Sequence, residues 1–266
     1  MQYLGNSYSC LSSHQRAQFY EGLLERCHSL QVLRQERVVL PNEALPPGIP
    51  INPGIGIRHY VMSPRHQASV QKRKAVVISC EFGIAESRRN EPLAICVVDC
   101  LTGDTLVSSL VAVTQPMFNW RKDIHGIGLQ QMTAAIKSSQ ALMGWRAARD
   151  KLFEYIDEET VLVGYGIRLP LELFRLYHTK VVDAQVLVTA AVFPDGVPLL
   201  EKGRYKSRLP HVCSEFIGIT LRQGLHWEAG IHDRLENALA AREIALQCIQ
   251  RPAELEAWAQ RKRSEF

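Results

Sequence analysis

Paired cysteines are missing from this chain. Its seven cysteines are an odd number, they lie scattered, and no two form a Cys-x-x-Cys pair. Neither a disulfide framework nor a zinc ribbon is therefore expected. Cys80 and Cys96 fall inside apolar, strand-like runs, where cysteine behaves as a small buried apolar residue. Long hydrophobic runs are also missing. No stretch approaches the roughly 20 apolar residues that a membrane span requires. Met1-Gln2-Tyr3-Leu4 shows no basic segment followed by an apolar one, so neither a membrane role nor a secretory signal is expected. Charge of one sign is scarce as well: the formal net charge is only +4. What remains is a chain of 266 residues with 46% hydrophobic residues, enough for one large domain with extensions and a substantial core.

Hydrophobic periodicity organises the rest. Ser12-x-x-Gln15 reads as a capping box, and Phe19, Leu23, Cys27 and Leu30 then recur at helical spacing. A Pro- and Gly-rich stretch from Pro41 to Gly56 reads as a loop. Residues 1–70 are thus expected to form an N-terminal extension with one amphipathic helix and an irregular arm. Apolar runs at Ala75–Cys80, Leu93–Val98 and Thr105–Val113 predict three consecutive strands, the last two joined by the turn residues Leu101-Thr102-Gly103-Asp104. Trp145, Ala148, Leu152 and Ile156 mark a helix face. Val161–Val163 and Val181–Val182 predict short strands flanking a helical segment, Leu171–His178. Leu235, Leu239, Leu246 and Ile249 predict a closing helix that stops before Pro252. The expected fold is α/β, with helices alternating with strands after an initial meander. Its domains are expected at 1–70, 71–252 and 253–266, the last a charged helical tail.

The chemistry-bearing positions form an ordered series. Ser79-Cys80-Glu81 ends the first core strand. Asn119-Trp120-Arg121 and Ile124-His125-Gly126-Ile127 follow. Then come Leu162-Val163-Gly164-Tyr165-Gly166-Ile167 with Pro170-Leu171, Val182-Asp183-Ala184, Glu215-Phe216-Ile217-Gly218-Ile219, and Gly230-Ile231-His232 with Glu236-Asn237-Ala238. This series resembles the motifs of the DEDDh 3′-5′ exonucleases, specifically the Rex-type and interferon-induced RNA exonuclease branch, over roughly residues 74–250. The resemblance implies a ribonuclease H-like fold: a mixed central sheet of three antiparallel and then parallel strands, flanked by helices, with a helical N-terminal extension. Asp183 is implied to be structural.

The resemblance also implies which residues occupy the catalytic positions. Glu81 stands at the glutamate position and His232 at the general-base position. Ser79, Pro170 and Asn237 stand where the family carries metal-ligating aspartates. Hydrolysis of this kind holds two divalent cations roughly 3.5–4 Å apart, and magnesium takes hard, mostly carboxylate ligands. A hydroxyl, a proline and an amide do not replace three carboxylates. The expected metal complement is none, and the site is expected to be a remnant. Read without the resemblance, Glu81 is a solvated strand-end acid and His232 a helix-start cap.

Basic residues cluster at Lys72-Arg73-Lys74, Arg88-Arg89, Arg121-Lys122, and Lys202, Arg204, Lys206 and Arg208. Lys or Arg at a phosphate adds salt-dependent affinity, and Tyr205, interleaved in the last group, offers a ring for base stacking. Lys202, Arg204, Tyr205, Lys206, Arg208 and Arg121 are accordingly the expected nucleic-acid contacts; ordinary solvated faces are the competing reading. The leading expectation is a catalytically inactive exonuclease-like module that binds RNA or another single-stranded nucleic acid, or acts as a scaffold. The alternatives are an active Mg2+- or Mn2+-dependent exonuclease with a reorganised site, in which Glu172 substitutes for a lost acid, and a protein-interaction subunit. The N-terminal extension is the expected protein-docking surface, marked by exposed Phe19 and Leu23 if that reading holds. Intracellular, preferentially nuclear, residence is expected from family habit and from Lys72-Arg73-Lys74.

Overall fold

The computed structural model describes residues 1–43, 57–194, 208–222 and 232–265. Strands β1 (Ala75–Ala85), β2 (Asn90–Asp99) and β3 (Thr105–Val111) form an antiparallel meander. The short β4 (Met117–Asn119) pairs antiparallel with the far end of β1. Strands β5 (Ala141–Leu142), β6 (Val161–Gly164) and β7 (Val181–Asp183) then add parallel to β3, β1 and β6 respectively. The spatial order is β7-β6-β1-β2-β3-β5, with β4 off that path. This is the mixed sheet of the ribonuclease H-like expectation: three antiparallel strands, then parallel ones.

Both faces of the sheet are covered, which is why its central strands read as near-continuous apolar runs. Side chains alternate across the pleat and sort cleanly. Ala75, Val77, Cys96, Val98 and Val163 enter one core, while Val76, Ile78, Ile95, Val97 and Leu162 enter the other. The first core packs against α1 (Ser13–Glu25), α7 (Ala184–Val192), α8 (Leu209–Phe216), α9 (Arg234–Gln250) and α10 (Pro252–Arg263). The second packs against α2 (Leu30–Gln35), α5 (Gly144–Phe153) and α6 (Arg168–Leu173). A smaller cluster joins Leu93 and Ala94 to Met132 on α4 (Leu129–Lys137), after the single turn α3 (Lys122–His125). Among the described residues, no helix is long and apolar enough to cross a membrane.

Helix α9 is the element that positions the site. Ala238, Leu239, Ala240, Ala241, Ile244 and Ala245 are all buried, and the small alanines let α9 lie close over β1. Even Arg242 is fully enclosed, its guanidinium donating to the carbonyls of Cys100 (2.7 Å) and Ser9 (3.0 Å).

Three expectations are corrected. The capping box at Ser12 and Gln15 forms, but the helix it opens ends at Glu25 and does not carry on through Leu30. His28 instead docks on β7, its backbone N–H donating to Val181 O and its Nε2 accepting from Asp183 N (both 2.8 Å). Ser29 then caps a separate short helix. The segment Leu171–His178 is not one helix: α6 stops at Leu173, and Leu176–Tyr177 pairs as a strand with Val61–Met62. Strand β1 runs to Ala85 rather than Cys80, because β2 continues to pair with it through an irregularity between Glu81 and Phe82. Such bulges re-aim side chains near functional sites.

Candidate functional site

The carboxyl end of β6, the bulged middle of β1 and the first turn of α9 enclose a pocket of about 190 Å³. Ser79, Glu81, Pro170, His232, Asn237 and Arg121 all line it, together with Phe82, Ile124, Gly166, Leu169 and Ala241. Six expected positions separated by up to 158 residues of sequence, 79 to 237, thus meet in one cavity. Ser79 and Glu81 reach the same face because they are two residues apart on a strand. Asn237 arrives from α9, whose N-terminus is capped by the Asp233 side chain accepting from Glu236 N. Pro170 sits in the first turn of α6, where a missing N–H breaks no helical bond. Gly166 adopts φ +74°, a left-handed conformation that glycine enters without strain. Its N–H and that of Ile167 donate to the Asp183 carboxylate (2.9 and 2.8 Å). Asp183 also caps α7, so this buried acid is engaged by backbone and does not line the pocket.

Glu81 is the single carboxylate among the described lining residues, and it is 6% exposed. Asn237 Nδ2 donates to its Oε1 at 3.3 Å. His232 Nδ1 lies 3.4 Å from the same oxygen, an ion-pair distance when the imidazole is protonated. The His232 backbone N–H donates to Ile124 O, which ties the histidine to the pocket wall. Arg121, with φ +52°, lays its guanidinium over the Phe82 ring at 4.0 Å, a cation–π contact. Behind this wall, burial lowers the His125 pKa, with Arg121 and His232 adding to the effect and Glu81 opposing it. Its Nδ1 accepts from Ile127 N and its Nε2 faces Phe82 O, which fits the neutral ring.

The acids nearest in sequence to Asn237 have other work. Glu236 is fully buried and accepts from Arg222 N and from Asn6 Nδ2. Asp233 accepts from the Tyr3 hydroxyl at 3.1 Å. Glu172 does not line the pocket; it pairs with Arg168 at 3.6 Å, and burial raises its pKa.

Of the expected nucleic-acid contacts, Arg121 reaches the pocket and Arg208 stands exposed at the start of α8, beside the lining residue Leu209. Lys202, Arg204, Tyr205 and Lys206 lie outside the described residues. Lys72, Arg73 and Lys74 are engaged internally: Lys72 with the carbonyls of Phe153 and Glu154, Arg73 with Asp99, Lys74 with the Tyr20 ring. Phe19 and Leu23, whose exposure would mark a docking face, are fully buried. Sequence reasoning missed Phe82, Leu169 and Ala241 as lining residues; they are apolar and carried no chemical signal. It also missed Arg222, a half-buried cation whose charge acts on Glu236 and Glu81.

Comparison with family models finds no match. RNA exonuclease 3 of Candida albicans is 23% identical over 180 residues, covering 68% of this chain and 39% of that protein. Small RNA degrading nuclease 2 of Arabidopsis thaliana is 23% identical over 183 residues, covering 69% and 36%. The chain thus spans well under half the length of these relatives. In structure it is similar to the Saccharomyces cerevisiae Pan2 pseudoubiquitin hydrolase–RNA exonuclease module in complex with AAGGAA RNA. That match has a TM-score of 0.56 and 12% identity over 78% of this chain and 34% of the other. The Neurospora crassa Pan2 catalytic unit matches with a TM-score of 0.52. With this sheet order the chain has the ribonuclease H-like exonuclease fold, and over two thirds of its length it is similar in sequence to RNA exonucleases.

Proposed function

We propose that this domain holds the 3′ end of an RNA strand in the pocket and does not hydrolyse it. The observation that carries the reading is the donor set: one carboxylate, Glu81, beside a serine hydroxyl, a proline and an amide. Two magnesium ions bring a charge of roughly +4 and surrender water only to hard anionic ligands. This donor set does not fit such a pair. Arg121 adds positive charge to the same wall, and Asn237 already donates to Glu81, the one carboxylate among the described lining residues.

The same residues suit binding. Ser79, Asn237 and Arg121 supply donors for ribose hydroxyls or a phosphate, and Ile78, Ile124, Leu169 and Leu209 supply apolar wall. RNA is the ligand class because the relatives are RNA exonucleases. The test is binding and cleavage of labelled single-stranded RNA with magnesium or manganese. The expected result is a salt-sensitive complex with no shortening. The triple change Ser79→Asp, Pro170→Asp, Asn237→Asp is expected to restore metal binding seen by calorimetry. Shortening by the unmodified chain, abolished by Glu81→Ala, would sink the proposal.

A second reading rests on the 3.4 Å approach of His232 to Glu81: hydrolysis by a reorganised site using a single cation. A manganese binding isotherm for the unmodified chain, lost in Glu81→Gln, favours it over the first.

A further inference from the structure

On the sheet face covered by α5, a group of arginines, none of which lines the pocket, converges on one indole. Trp145 and Arg149 are on α5, and Arg146 is beside them. Arg175 follows α6 in a left-handed conformation, φ +53°. The Arg175 guanidinium lies 3.4 Å from the centre of the Trp145 ring, that of Arg146 4.2 Å and that of Arg149 5.1 Å. Their mutual separations are limited by those short distances. His59 meets the same indole edge-on at 6.4 Å.

These cations have few acceptors. Arg175 is 5% exposed, and its Nε and Nη1 have no hydrogen-bond partner among the described residues; neither has Nε of Arg149, 9% exposed. Arg149 Nη1 reaches only carbonyls, His59 O at 3.2 Å and Arg175 O at 3.4 Å. No ion pair joins Arg146, Arg149 or Arg175 to a carboxylate among the described residues. Glu91, the buried acid facing Arg175, accepts from Thr114 and Gln115. Residues 44–56 contain no Asp or Glu. The excess charge is felt nearby: burial first, then Arg58, Arg175, Arg146 and Arg149 lower the His59 pKa.

Enclosed guanidinium N–H groups without acceptors are costly, and stacking on an aromatic face preorganises such groups for an anion. We propose that Arg146, Arg149 and Arg175 form a phosphate-binding site separate from the pocket. Phosphate fits better than carboxylate. Three unpartnered nitrogens, carrying four N–H groups, plus the fork of Arg146 exceed what two carboxylate oxygens accept, whereas a phosphate group offers tetrahedral oxygens that guanidinium forks bind in pairs. The phosphate is either a free phosphoryl group or a phosphodiester of an RNA strand.

The experiment uses the full chain. Inorganic phosphate is titrated by calorimetry and by thermal melting against sodium chloride of equal ionic strength. Wild type is expected to bind phosphate and melt higher. Arg146→Gln, at an exposed position, is expected to fold normally and bind at least tenfold more weakly, the loss typical of one charged hydrogen-bonding group. Arg175→Met is expected to lose the phosphate-dependent rise in melting temperature. The loss caused by Arg146→Gln is expected to be the same in a Glu81→Gln background, which separates this site from the RNA pocket. A nucleoside monophosphate and an RNA lacking terminal phosphates are then compared: whichever loses more affinity in Arg146→Gln identifies the source. Wild-type phosphate affinity in Arg146→Gln, an equal melting shift with chloride, or an Arg146-dependent preference for an acidic peptide over phosphate would each overturn the proposal.

Discussion

Glu236 and Asn237 are adjacent on one helical turn and face different parts of the molecule. Glu236 points to the N-terminal segment, where backbone and side-chain donors from Arg222 and Asn6 converge on its buried carboxylate. Asn237 points to the pocket and meets Glu81 through one long contact. Around this turn, Glu236 closes the fold and Asp233 caps α9, while the pocket side carries an amide. The same division recurs at Asp183, which caps α7 and binds the turn before α6. Carboxylates with structural tasks are present and hydrogen-bonded, whereas among the described residues the wall facing the cavity holds one. The difference teaches that the acids that hold the fold and the groups that line the cavity are set independently on a single helix turn.

Several substitutions sharpen or break this contrast. Glu236→Ala strands the Arg222 N–H, the Asn6 amide and a half-buried cation, and is expected to cost about 4 kcal/mol in urea denaturation. A loss as small as that of Glu81→Gln would erase the distinction. Leu23→Ala tests whether residues before the sheet belong to the same core: Leu23 is fully buried, and about 3 kcal/mol is expected. A value near zero would mean that α1 is an appendage.

Acid supplies a third test. Burial lowers the His178 pKa from 6.5 to about 4. Its ring is held neutral between the Ser63 hydroxyl (2.7 Å) and Thr160 O (2.8 Å). The unfolded chain therefore takes up the proton first as pH falls below 6.5. Stability is full above that pH and declines toward pH 4, by between about 2 and 3 kcal/mol. Denaturation midpoints across this range should slope downward, and His178→Gln should flatten the slope. The smallest effect is expected at Glu81→Gln, under about 1 kcal/mol, because its contacts at 3.3 and 3.4 Å are weak. A larger loss would show that the pocket acid is structural after all.

Much of the fold was readable in advance. The apolar runs at Ala75, Leu93 and Thr105 are strands of a meander, and the leucine spacing from Leu235 marks α9, which ends at Gln250, before Pro252. The motif order predicted the convergence of Ser79, Glu81, Pro170, His232 and Asn237 on one pocket. Other features were not readable. The break after Glu25 depends on His28 finding the edge of β7, a contact 153 or more residues away in sequence. Lys72-Arg73-Lys74 read as a basic patch, yet carbonyls, Asp99 and Tyr20 occupy it. Arg146, Arg149 and Arg175 formed no run at all, since the chain brings them together only through α5 and the turn after α6.

The chain's own residues determine which groups are available: near-continuous apolar strands, a largely buried closing helix, and only one acid among the motif positions that line the cavity. Those follow from side-chain periodicity and side-chain chemistry, which are local. Only the tertiary structure decides which charges share a dielectric environment. Glu81 faces Asn237 and His232, Glu236 receives the N-terminal segment, and three guanidiniums surround one indole. Electrostatic energy depends on distance and burial rather than on order along the chain.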